Sequence, residues 1–333
     1  MKALAYYRAH SLADFAVQEM ELPEPTLQAK DVLIRVQAVS VNPVDFKIRT
    51  SRSAEGDRPV ILGWDAAGII EKIGPEVEGF QPGDEVYYSG ELMRDGSNAE
   101  YQAVDHRIIA RKPKNLSWAG AAALPLTSVT AWEALLERGI DYVPDTHVLI
   151  IGGAGGVGSI AIQLLKALTP ARVLATASRP ETVEWCRSLG ADSILNHAND
   201  LAAELKKQGL VTVDVVFGTT HSDRYLATIP DLLRSWGHFS LIDDPKSLDI
   251  VTFKRKAINV HWEFMFSKTL FNYHPESQGK ILADLTQLVE AGKVKSTVGL
   301  VLPGLTVENL KKAHTKLEAS ESIGKIVLDF AGK

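Results

Sequence analysis

The chain has one cysteine, Cys186, in 333 residues. A single thiol closes no disulfide within the chain and builds no cysteine-rich zinc lobe, so a reducing compartment, the cytosol, is expected. Concentrated positive charge is also missing. Lys and Arg number 36 against 41 Asp and Glu, a net charge of −5, and the densest basic run, Lys254-Arg255-Lys256, closes at once into Ala257-Ile258. Such a run reads as a solvated edge, and nothing tracks a phosphate backbone, so nucleic acid is not an expected partner. Long apolar runs are absent as well. Met1 to Tyr7 is too short for a signal-peptide core before Arg8 and His10. The longest uncharged run, Val148 to Leu165, approaches membrane-spanning length but carries Gly152, Gly153, Gly155, Gly156 and Gly158. A spanning helix is not written that way, so no membrane association is expected; a strand, a tight turn and a helix are.

What is present suits two globular domains: 45% hydrophobic and 23% charged residues supply two cores over this length. From Met1 to about Pro125 the texture is strand-like. Val32 to Val41 alternates after Arg35, and Gly74-Pro75 and Gln81-Pro82-Gly83-Asp84 supply turns before a strand at Glu85 to Tyr88. Beyond Pro144, apolar strands alternate with helical segments, the mark of βαβ units and a parallel sheet. Strands are expected at Val148–Ile151, Arg172–Ala177, Ser193–Leu195, Val213–Phe217 and His238–Ile242, with the sheet ending near Val260. Helices are expected at Val157–Leu168, Glu181–Leu189 and Leu201–Lys207. A helix at Gln278–Ala291 follows; strands at Val298–Leu302 and Lys325–Phe330 flank another at Val307–Leu317, and this tail is expected to rejoin the first domain.

The glycine run contains GxGxxG at Gly153, Gly155 and Gly158, after a strand and at the start of a helix. In that setting the first glycine permits the turn, the second lets a pyrophosphate approach and the third lets helix and strand pack. Gly156 and Val157 complete the helix N-terminus, whose free N–H groups suit phosphate. A purely structural glycine loop is the bland alternative. An NAD site places a carboxylate at the end of the second strand, and here that strand runs out in Ala177-Ser178-Arg179. A hydroxyl and a guanidinium suit a 2′-phosphate, so NADPH is expected, against the plainer reading of Arg179 as a surface residue.

The runs Val39-Ser40-Val41-Asn42-Pro43-Val44-Asp45, Ile61 to Gly68, Ala123-Leu124-Pro125-Leu126-Thr127 and Ile150 to Gly158 resemble the medium-chain dehydrogenase/reductase superfamily. Within it they resemble the quinone oxidoreductase branch and its zinc-type alcohol dehydrogenase-like subgroup. The resemblance covers the whole chain. It implies an α/β architecture: a GroES-like β-rich catalytic domain over 1–125, completed by 296–333, and a Rossmann doubly wound parallel sheet over 126–295 that binds NADP. It also implies an active site in the cleft between them and a homodimer. His197, Phe217, Ile242 and Lys325 are further residues expected at the cofactor. Zinc alcohol dehydrogenases have a cysteine ligand where this chain has Asn42 and a histidine ligand where it has Trp64. An amide is a poor zinc ligand and an indole offers no free lone pair, so no metal is expected.

Without a Lewis acid, hydride acceptors that delocalise charge become the favoured substrates: quinones and α,β-unsaturated carbonyls. The residues expected at the chemistry are Asn42, as an amide donor, Asp45, orienting its neighbours, Lys47, as positive charge toward an oxyanion, and Thr127, as a hydroxyl near the nicotinamide ribose. Against this, Asn42-Pro43 is also a plain turn signal and Lys47 suits a solvated helix face. Trp64, Phe264, Met265 and Phe266 are candidate apolar walls for a flat substrate, or simply core. The competing readings are a zinc-dependent alcohol dehydrogenase and a non-catalytic NADPH-binding sensor or structural protein.

Overall fold

The computed structural model describes residues 1–331. One unit comprises 1–126, 266–292 and the chain from Ser296; the other comprises 127–265 with 293–295.

In the first unit, β1 (Lys2–Tyr6) pairs antiparallel with β2 (Gln18–Glu21) and β4 (Val60–Ile61). The main sheet is built on β3 (Asp31–Val41), which pairs antiparallel with β5 (Ala66–Ile73), β7 (Tyr101–Asp105) and β16 (Lys325–Asp329). Strands β6 (Glu85–Tyr88), β8 (Ile109–Arg111) and β15 (Val298–Pro303) extend it to seven. Every residue of β3 except Arg35 is buried, which is why the strand is apolar on both faces. Its C-terminal half lies beside β16, so the tail does rejoin the first unit.

Directly after β3 comes helix α1 (Pro43–Ser51), where the sequence offers a turn at Asn42-Pro43 and a solvated helix face for Lys47 but sets no helix bounds. Pro43 suits the first helical position, and the Asp45 carboxylate accepts the Asn42 N–H at 2.7 Å. The buried face of α1 consists of Asp45 and Arg49, polar residues one turn apart, so no apolar period announces it. Arg49 is held from α10 (Val307–Glu318), with Nη1 2.9 Å from His314 Nδ1 and Nη2 donating to Glu318 at 2.7 Å. Helices α2 (Trp118–Ala122) and α3 (Pro125–Leu135) lead out of the β-rich segment.

The second unit carries six parallel strands: β9 (His147–Ile151), β10 (Arg172–Thr176), β11 (Ser193–Leu195), β12 (Val213–Gly218), β13 (Leu233–Leu241) and β14 (Asn259–Trp262). Their order is β11-β10-β9-β12-β13-β14. Counted from β9, that is the 3-2-1-4-5-6 order of the dinucleotide-binding doubly wound sheet. The connections include α4 (Gly156–Leu168), α5 (Pro180–Ser188), α6 (Leu201–Lys207) and α7 (Ile229–Leu232). Strand β13 starts five residues before the expected His238. Its register on β12 jumps from Val213–Leu233 to Val215–His238, around Trp236 at φ +61°, a bulge that hides the strand in the sequence.

One stretch falls on the other side of the expected boundary. Residues 266–292, read as part of 126–295, belong to the first unit. They hold α8 (Ser267–Leu270) and α9 (Glu276–Glu290), whose inner face includes Ile281, Leu282, Leu285 and Val289. Tyr87 Oη donates to Leu282 O at 2.6 Å and Asn115 Nδ2 to Val289 O at 3.0 Å, fixing α9 beside β6 and β8. Amphipathic spacing shows that a helix buries a face, not which core receives it. Among the described residues no helix is long and apolar enough to cross a membrane.

Candidate active site and cofactor site

Three strand ends of the first unit's main sheet meet at one buried polar group. The register sets Val41 opposite Ile326 and Val39 opposite Ala66. Asn42, Asp65 and Lys325 are thereby brought together, although Lys325 lies 283 residues beyond Asn42. These three and Asp45 are each no more than 3% exposed. Lys325 Nζ donates to Asn42 Oδ1 and to Val41 O, and lies 3.1 Å from Asp65 Oδ2. An ammonium has three hydrogens, so its complement is complete. Asn42 Nδ2 donates to Ser40 O and to Asp65 Oδ2, each at 3.2 Å, and Asp65 Oδ1 accepts the Leu126 N–H at 3.2 Å. Both Asn42 amide hydrogens are therefore engaged, and donation to a substrate would require one of these bonds to open.

Electrostatically the group is dominated by burial. Desolvation raises the Asp45 carboxyl to about 7, against the hydrogen bond from the Asn42 N–H and the charge of Lys325. Burial also raises Asp65 and lowers Lys325, while the attraction between the two opposes both shifts. Lys325, expected at the cofactor, thus commits its three donors within the first unit. Asp65 lies within the run Ile61 to Gly68 and had no role in the sequence reading. Its signal was available: a lone carboxylate inside Leu62-Gly63-Trp64-Asp65-Ala66-Ala67 needs a buried partner, as does a lone ammonium before Ile326-Val327-Leu328.

In the second unit the glycine run forms the turn from β9 into α4. Gly152 takes φ +85°, and a Cβ on Gly158 would lie 2.2 Å from Gly152 O. Packing alone accounts for these two. Gly155 is different: its φ is −73°, and a Cβ there would meet one protein atom, Gly152 O, at 3.4 Å. The fold does not require glycine at that position, whereas a phosphate resting on the turn does. Gly153 N–H donates to Thr176 O at 3.2 Å, tying the turn to β10. Gly156, Val157 and Gly158 form the first turn of α4, whose N–H groups have no intrahelical acceptors. The residues present fit a dinucleotide.

The residues directly after β10, Ala177-Ser178-Arg179, include no carboxylate. Ser178 and His197 share a hydrogen bond of 3.1 Å, Oγ to Nε2, and exposed Arg179 pairs through Nε with Glu181 at 3.0 Å. Burial lowers the His197 pKa, and Arg224, His221 and Arg179 lower it further. Arg224 and His221 were missed by the sequence reading because they follow a different strand, β12. Phe217 is wholly buried in the sheet, in register with Ile150 and Ser240, leaving only its backbone for a ligand. Ile242 is half-buried, its N–H donating to Gly218 O at 3.2 Å.

The remaining expected residues are dispersed. Lys47 is exposed on α1, and Thr127 is buried in the first turn of α3. Trp64 meets Phe266 edge to face at 6.4 Å and donates from Nε1 to Glu91 O at 3.0 Å. Trp64, Met265 and Phe266 are almost wholly buried, while Phe264 is 51% exposed. Of the four candidate walls, Phe264 alone is exposed.

Comparison with known proteins agrees with this architecture. Residues 28–114 match the alcohol dehydrogenase GroES-like domain, and 189–328 match the zinc-binding dehydrogenase family. A zinc-type alcohol dehydrogenase-like protein of Staphylococcus aureus is 40% identical over 99% of this chain and all of its own length. The chain belongs to the medium-chain dehydrogenase/reductase superfamily. Another member, the chloroplastic NADPH-dependent alkenal/one oxidoreductase of Arabidopsis thaliana, is 31% identical over 98% of this chain and 79% of its own. A crystal structure from Rhizobium etli, described as a candidate zinc-dependent alcohol dehydrogenase, is 47% identical with a TM-score of 0.96, covering 100% of this chain and 99% of that one.

Zinc in these names can be tested against the donor atoms. Asn42 Oδ1 already holds the Lys325 ammonium, and Trp64 Nε1 is a hydrogen-bond donor. Among the described residues no cluster of three or more His, Cys, Asp or Glu could hold a metal ion. The residues do not fit zinc, which wants three or four N, S or carboxylate ligands.

Proposed function

We propose that this member of the superfamily is an NADPH-dependent reductase of conjugated carbonyls, quinones or α,β-unsaturated aldehydes and ketones, acting without catalytic zinc. The observation that carries the reading is the buried Lys325 ammonium on Asn42 Oδ1 and Asp65 Oδ2, a cation fixed on the residue that replaces a cysteine ligand of the zinc alcohol dehydrogenases. With that donor set no Lewis acid polarises an isolated carbonyl, so the acceptor must spread the developing charge itself. When bound, the nicotinamide supplies hydride from C4. A conjugated acceptor takes it at carbon, negative charge collects on the distant oxygen, and a proton completes the enol or hydroquinone.

The chain's own contributions are binding and orientation. Gly153, Gly155, Gly156, Val157 and Gly158 cradle the pyrophosphate, and Ser178, Arg179 and His197 receive the 2′-phosphate. Thr127 serves the nicotinamide ribose. Asn42 serves as an amide donor once one of its bonds opens, Asp45 orients its neighbours, and Lys47 supplies positive charge to the oxyanion. The name of the Arabidopsis relative, which joins NADPH to alkenals and alkenones, supports this substrate class. The assembly that goes with the reading is a cytosolic homodimer, checked by sedimentation of the purified protein.

The deciding experiment is NADPH oxidation against a panel of quinones, enones and simple aldehydes, on protein of determined metal content. Turnover of conjugated acceptors by metal-free protein is expected. Activity confined to simple aldehydes, or lost on chelation and restored by zinc, would overturn the reading.

A further inference from the structure

Polar and basic side chains of the second unit follow the C-terminal ends of three parallel strands. Ser178 and Arg179 follow β10, His197 follows β11, and His221 and Arg224 follow β12. His197 joins two of these strand ends. Its Nε2 lies 3.1 Å from Ser178 Oγ, and the charges acting on it are Arg224, His221 and Arg179. The nearby carboxylates have other partners. Glu181 pairs with Arg179, and Asp223 accepts the Lys246 N–H. Glu204 accepts from the Asn196 N–H, Asn199 and Lys207. An imidazole among cations is held neutral, and a dianion placed there reverses the field.

We propose that the chain takes up a proton on His197 when it binds the 2′-phosphate of NADPH, so that its preference for NADPH over NADH is set by pH as well as by Arg179 and Arg224. This rests on the cofactor reading above and extends it. In the free protein, burial and the neighbouring cations favour neutral imidazole, with Ser178 Oγ at one nitrogen. A phosphate monoester, with its second pKa at about 6, is already a dianion at pH 7.5 and brings no proton to release. Its two charges offset those of Arg179 and Arg224, and the imidazole then gains a proton from the buffer to donate a charge-assisted hydrogen bond. NADH, with a 2′-hydroxyl, supplies no such charge.

Titration calorimetry of the intact protein at pH 7.5, in two buffers of different ionisation heat, reads the proton directly. Uptake of about one proton per NADPH is expected, and none with NADH, with NADPH affinity falling about tenfold per pH unit above neutrality. His197→Gln should abolish the uptake and flatten the pH dependence of NADPH binding. Arg224→Gln should weaken NADPH on the order of tenfold at every pH and spare NADH. Tighter NADPH binding without proton uptake, or uptake that survives in His197→Gln, would overturn this inference and leave the cofactor reading standing. NADPH binding no tighter than NADH at pH 6.5 would overturn both.

Discussion

At the scale of single residues, Lys325 is the side chain whose removal should be felt most. Lys325→Met leaves Asp65 buried without its cation, a kind of loss that typically costs about 3 to 5 kcal/mol. Asp65→Asn in the same chain removes the stranded charge and should recover most of that loss, as read from denaturant midpoints. Losses that simply add would mean the two side chains are not coupled. Asp45 makes a second prediction, with a definite sign. Because burial raises its carboxyl to about 7, the folded chain holds a proton that the unfolded chain releases near pH 4. The stability contributed by this group is full below about pH 4 and declines as the pH rises to about 7. Asp45→Asn, neutral throughout and still able to accept the Asn42 N–H, should flatten the stability profile over that window; an unchanged slope would mean that the folded chain keeps Asp45 ionised. These residues were partly legible. Asn42 and Asp45 stand in a short recognisable run, but their partner Lys325 is joined to them by strand register alone, and register between distant strands is not written in local spacing.

At the scale of elements, the turn from β9 into α4 separates the two reasons for glycine. A Cβ at Gly158 collides with Gly152 O at 2.2 Å, so Gly158→Ala must displace backbone and should lower both the melting temperature and cofactor affinity. At Gly155 the added Cβ meets one protein atom at ordinary contact distance, so Gly155→Ala should keep the melting temperature and weaken NADPH at least about tenfold, ~1.4 kcal/mol. Equal loss of stability in both variants would make the whole run a structural loop. The helices and strands of this unit were the most legible part of the chain because apolar strands and glycine stops set their limits, as with α6 and β11. Of the elements whose bounds escaped, one has a polar inner face and one is a bulged strand. Helix α1 buries Asp45 and Arg49, and β13 hides its first residues behind Trp236 at φ +61°. Hydrophobic periodicity is silent in both cases.

At the scale of the molecule, the chain order and the folded units differ: the first unit takes both ends of the chain and the 266–292 stretch, while the second is nearly continuous. The strand texture of the tail disclosed its return to the first unit, whereas α9 could have joined either core. The consequence is that the first unit cannot form before the last residues are made. A chain ended at Lys295 loses β15, α10 and β16 together. The edge of β3 paired with Lys325–Asp329 would be bare from Ala38 to Val41, Arg49 would lose His314 and Glu318, and Asp65 would lose Lys325. Two charges stranded in the interior and an open strand edge favour association over folding. The truncated chain should therefore aggregate, and its soluble fraction should lack the first unit's cooperative transition in calorimetry. The second unit keeps its six strands, its glycine turn and the Gln163 side chain bonded to Lys295 N–H and O, so that fraction should still be stabilised by NADPH. Supplying 296–333 as a separate peptide should restore the missing transition, since β16 forms its antiparallel ladder with β3 whether or not a peptide bond joins it to the rest.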